Sequence, residues 1–130
     1  YNKKGKGGPY GNGGWCGYFT EVKSGQMYLD ASGYKHLTFW VKGGKGDENF
    51  MVGLADRKWR KLGDSIKSKQ IGEYLPSGKV TTEWQKVEIP LSAFNLSWKE
   101  LASIAICFES ACFPGGSGRG TLYVDDIQLE

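Results

Sequence analysis

Long apolar runs are missing from this 130-residue chain. No stretch approaches the ~18 consecutive apolar residues that cross a bilayer, and no charged-then-apolar signal segment opens it. A membrane span is thereby excluded. Cysteine is scarce: three thiols cannot staple a miniprotein, and an odd number leaves at least one without an intrachain partner. No Cys-x-x-Cys pair occurs among Cys16, Cys107 and Cys112, so a zinc site is not expected. Histidine is scarcer still. His36 stands alone, without a nucleophile motif nearby, and reads as a strand-edge imidazole rather than a triad base. An excess of one charge is also lacking. Seventeen basic against fourteen acidic residues leave a net charge of +3, too little for nucleic-acid binding by bulk charge. The glycine-rich stretches GKGGPYG and GGSGRG match neither the dinucleotide fingerprint nor the phosphate loop. Fourteen acids offer many carboxylate pairs, but sequence spacing does not set the separations glycoside hydrolysis requires. No enzyme is expected.

What the chain has is glycine and flat side chains. Twenty glycines are about twice the usual ~7%, and aromatics make up 14%, a combination that points to tight turns between short strands. Residues 1–14, rich in glycine and lysine, hold nothing that fills a core and read as an extended arm ahead of one domain over 15–130. The absence of an initiator Met before Tyr1 suggests a processed product or a piece of something longer. Strand-like runs follow at 15–22, 27–29 and 37–42. In the last, Leu37, Phe39 and Val41 face one side and Thr38, Trp40 and Lys42 the other. Phe50, Val52 and Leu54 mark the next strand. Residues 56–70 read as a long charged loop, and 71–74 with the Pro76-Ser77-Gly78 turn lead into the next strand. Gln85, Val87 and Ile89 alternate with Trp84, Lys86 and Glu88. Ser97-x-x-Glu100 fits a capping box, Ile104, Ile106 and Phe108 face inward from a further strand, and 121–130 closes the chain. The sum is an all-β, two-sheet antiparallel sandwich of jelly-roll type.

The loop is the best candidate for chemistry. It gathers Asp56, Arg57, Lys58, Trp59, Arg60, Lys61, Asp64, Lys67 and Lys69. A tryptophan among cations either packs down or stacks on a ligand. Indole faces against sugar rings, flanked by Asp and Arg hydrogen bonds, hold saccharides, and the same cations suit an acidic polysaccharide. Trp59, Asp56, Arg57 and Tyr74 are the expected contacts. Trp40, Trp15 and Tyr18 either extend an aromatic platform or fill the core. Cys16 and Cys112 flank flexible glycine-rich places and are expected either to form a disulfide or, with Cys107, to be free. Asp125 and Asp126 interrupt the last strand. A calcium ion, a bulge or a salt bridge would each account for them. Asn95-Leu96-Ser97 fits a glycosylation sequon.

The series YKHLTFWVKG, ENFMVGLAD, LPSGKVTTEWQKVEIPLSAF, LASIAICFE and GTLYVDDIQLE resembles the galactose-binding-like jelly rolls of carbohydrate-binding modules over residues 15–130. The resemblance implies a noncatalytic polysaccharide-binding appendage that is extracellular or at the cell surface. It also implies that Asp125 falls where many such modules ligate a structural calcium. Such modules usually begin with one or more strands ahead of the segment matching 15–22, and these are absent here, so Tyr1-Asn2 reads as the end of a strand. An incomplete sandwich suggests a rival role: a homo-oligomer or filament subunit completed by a strand from another chain.

Overall fold

The structure, a computed structural model, describes residues 1–5, 15–25 and 27–130. Nine strands and one α-helix follow in chain order: β1 (Asn2–Lys3), β2 (Gly17–Glu21), β3 (His36–Gly43), β4 (Met51–Asp56), α1 (Arg57–Leu62), β5 (Ile66–Gln70), β6 (Gln85–Pro90), β7 (Leu101–Cys107), β8 (Gly118–Arg119) and β9 (Leu122–Leu129). They form an antiparallel four-stranded sheet, β2-β7-β4-β5, a three-stranded sheet, β6-β3-β9, and the small pair β1-β8.

Period-two patterning explains both large sheets. Leu37, Phe39 and Val41 of β3 and Val87 and Ile89 of β6 are buried, as are Val52 and Leu54 of β4 with the adjoining Phe50. Ile104 and Ile106 of β7, with the adjoining Phe108, join them in one apolar cluster between the sheets. The alternate residues of the same strands point outward. β7 is buried along its whole length, yet its second face carries only Ser103, Ala105 and Cys107. Ser103 and Ala105 form the floor of the site described below.

Several expectations change. The charged stretch 56–70 is not a loop. Asp56 accepts the Trp59 N–H (3.0 Å) at the start of α1, Gly63 ends it in the left-handed region (φ 68°), and β5 then pairs with β4. Residues 71–74 form a 3₁₀ turn. Ser97 does precede a helical turn, but its side chain caps nothing, and its backbone N–H donates instead to Asp56 Oδ2 (2.8 Å). The pair of acids in β9 is resolved by a bulge. The β3–β9 register shifts between Thr38 and Trp40, and Asp126 takes a positive φ of 55°. The start of the chain is not a free arm: the Tyr1 ring stacks on Phe108 at 4.0 Å and packs near Phe113, while β1 pairs with β8. The rest of the expected arm, residues 6–14, lies outside the described residues. Among those described, no helix is long and apolar enough to cross a membrane.

Candidate functional site

The outer face of the four-stranded sheet carries a groove of about 400 Å³. Register places Phe19 of β2 beside Ala105 of β7, which lies beside Gly53 of β4, all on that face. Ser103 and Ala105 line the floor and Ser65 a side. Gly53 keeps this region shallow, because a Cβ there would come 2.5 Å from Ser65 Oγ. One wall is aromatic: Trp15 is 63% and Phe19 52% exposed. The indole leans over Gly17, where a Cβ would approach its Cζ2 to 2.8 Å. The facing wall is polar, built from Arg60, Gly63, Asp64 and Lys67. Two large rings in solvent above a strip of small side chains form an unusual surface for a core-building sheet, and one suited to a flat ligand.

Electrostatics hold the polar wall in place. Arg60 forms an ion pair with Glu21 across the sheet edge and lies 5.9 Å from the Tyr28 ring. Its Nη1 is buried without a hydrogen-bond partner among the described residues, at a cost of about 1–3 kcal/mol. The Lys67 ammonium donates to Asp64 Oδ1, and the Ser65 N–H donates to the same oxygen. These hydrogen bonds hold the Asp64 carboxyl below its ordinary pKa. The groove thus offers ionised acceptors and donors opposite two apolar ring faces. A pyranose ring has the matching character, with an apolar C–H face and a rim of hydroxyls.

The four expected contacts are not brought together. Asp56 is buried and spends both carboxylate oxygens on backbone N–H groups, so it is a structural residue. Arg57 points to Glu100 and the Tyr28 ring. Tyr74 sits beyond the far end of β5 and accepts the Lys69 N–H at 3.3 Å. Trp59 is half-buried on α1, next in sequence to the groove residue Arg60. Trp15, Arg60, Asp64 and Lys67 were legible as candidates, whereas Phe19, Ser65, Ser103 and Ala105 carried no signal in the sequence. Replacing Asp56 with alanine is expected to cost about 2–3 kcal/mol through the lost helix cap and a stranded Ser97 N–H. Urea unfolding would show it, while saccharide affinity of the folded protein stays unchanged.

The disulfide is not formed, and all three cysteines are free. Cys16 is half-buried on the strand side, where its carbonyl accepts the Phe108 N–H, whereas Cys112 is buried in a 3₁₀ turn. Burial raises the Tyr1 phenol and the Cys112 thiol, and it pushes the Cys107 thiol up to about 11 from 9.0. An acid whose folded pKa is raised keeps its proton longer in the native state. Stability is therefore full below pH 9 and is lost as pH climbs from 9 toward 11. The urea midpoint should fall across that window, and less steeply in Cys107→Ala; equal slopes would contradict this.

Asp125 lies on β9, opposite Trp40 of β3. Its side chain is exposed and one oxygen accepts the Asp126 N–H (2.8 Å). Among the described residues no three His, Cys, Asp or Glu side chains converge. His36 sits 3.5 Å from Glu88 at the surface.

A β-sandwich with an aromatic groove over a small-residue floor defines the class of saccharide-binding modules. The chain belongs to the family described as carbohydrate binding domain 30, whose model matches residues 2–130. It is a noncatalytic carbohydrate-binding module, not an enzyme. Three solved structures share the fold. One, titled a family 30 carbohydrate-binding module, is 22% identical with a TM-score of 0.65, covering 98% of this chain and 64% of its own. Another is the family 30 module of cellulosomal cellulase CEL9D-CEL44B of Clostridium thermocellum, at 22% identity and a TM-score of 0.66, covering 99% and 71%. A third family 30 module is 24% identical with a TM-score of 0.68, covering 90% and 68%. The chain thus spans about two thirds of these structures' own lengths. No curated protein matches the sequence. The rival role as a filament subunit finds no support in these matches.

Proposed function

We propose that the module binds a linear polysaccharide in the groove of the four-stranded sheet. It would act outside the cell, tethering a larger carbohydrate-active protein to its substrate. The observation that carries the reading is the opposition of Trp15 and Phe19 to Arg60, Asp64 and Lys67 across a floor of small side chains. Stacking on the rings supplies affinity, and the polar wall orients the hydroxyls. A β-glucan is the favoured polymer, because a similar module belongs to a cellulase. Electrophoresis of the protein through native gels containing soluble polysaccharides tests the reading. Retardation by neutral glucans is expected, and unaltered mobility in every polymer would overturn it.

A further inference from the structure

The outer face of the other sheet carries a second aromatic surface that the groove does not use. β3 is the central strand there, between β6 and β9. Trp40 of β3, Trp84 just ahead of β6 and Tyr123 of β9 are 39%, 43% and 48% exposed. Lys42, opposite Tyr123 in register, lies with its Nζ 5.3 Å from the Trp84 ring centre and 5.2 Å from that of Tyr123. Trp84 and Tyr123 therefore flank one ammonium across the width of the sheet, roughly two strand spacings of ~4.8 Å apart. Trp40 stands one step along the strand, opposite Lys86 on one side and Asp125 on the other. Trp84 and Tyr123 thus form a row across the strands through Lys42, with Trp40 in the adjacent row.

The charges of this face identify its occupant. Glu130 lies 3.6 Å from Lys86 and accepts the Thr38 hydroxyl hydrogen bond at 3.2 Å, while Glu88 lies 3.5 Å from His36. The ammonium of Lys42 is shared between two ring faces. Most of these charges are paired, and the exposed Asp125 opposite Trp40 adds a further acid, so the face disfavours an anionic polymer. The exposed apolar groups in the row are aromatic rings with polar neighbours, rather than aliphatic side chains.

We propose that this face is a second saccharide site, which takes one linear, uncharged polysaccharide chain laid across β6, β3 and β9. The two sites lie on opposite sides of the core, so one module bridges two chains. The proposal rests on the family's carbohydrate binding but not on the groove being the first site.

Calorimetric titration with a soluble cello-oligosaccharide separates the two ideas, using wild type, Trp84→Ala, Tyr123→Ala and Trp15→Ala, each shown to be folded by its melting curve. Two oligosaccharides per chain are expected for wild type and one for each variant. Wild type, and neither outer-face variant, should also carry a labelled soluble glucan onto insoluble cellulose. One site that only Trp15→Ala removes would overturn the proposal and leave the groove standing. One site that Trp84→Ala and Tyr123→Ala remove, with Trp15→Ala silent, would overturn the groove and keep this face. A wild-type dimer that Trp84→Ala dissociates in sedimentation would assign the face to a second copy of the chain and overturn the proposal, as would no binding at all.

Discussion

Trp15→Ala should weaken binding of a soluble β-glucan by roughly ten- to a hundred-fold, the loss of about 1.4–2.8 kcal/mol typical of an interface anchor. The ring is mostly in solvent, so its removal takes little from the core, and the melting temperature should move by only a few degrees. Its indole packs against Gly17. Trp15→Phe separates stacking from bulk, because a smaller ring keeps part of the face and should keep part of the affinity. Titration of the three proteins against the same glucan reads the outcome. An unchanged dissociation constant in Trp15→Ala would remove the aromatic wall from the site.

The other large effect is on stability. Phe50 is fully buried, with its ring centre 6.4 Å from that of Phe39 and 6.3 Å from that of Phe108, so it joins residues of both sheets. Phe50→Ala should leave a cavity between rings that cannot all collapse inward and should cost about 3–5 kcal/mol. For a chain of this size that is a fall in melting temperature of roughly 10–20 °C. Scanning calorimetry at matched pH checks it. A shift of only a few degrees would mean that the rings around Phe50 repack far more freely than the close contacts suggest.

Much of the architecture was legible because period-two alternation is a strong signal where one face is buried. β3 and β6 announce themselves through Leu37, Phe39, Val41, Val87 and Ile89, and all five are buried. β5 did not, since Ile66–Gln70 reads IKSKQ and draws its conformation from pairing with β4 rather than from its own hydrophobicity. α1 was hidden among charges, although Asp56 and Gly63 are ordinary start and stop signals for a helix. The binding surface was harder still. Trp15 and Phe19 meet Lys67 only because β2 and β5 join the same sheet, and no local pattern reports that. Asp56 misled for a similar reason: an acid beside a tryptophan looks like a sugar contact until both its oxygens are seen to be occupied.

The division of labour along β7 and β4 has a consequence for how such a module diversifies. Ile104, Ile106, Val52 and Leu54 fill the interior, while their immediate neighbours Ser103 and Ala105 line the groove and Gly53 lies beside Ala105 on the same face. A lineage can therefore change which polymer it recognises by adding or trimming a few atoms at alternate positions, while the residues that keep the fold intact remain untouched. Gly53 sets the limit on that freedom, because even a methyl group there meets Ser65 Oγ at 2.5 Å, so the two positions must vary together.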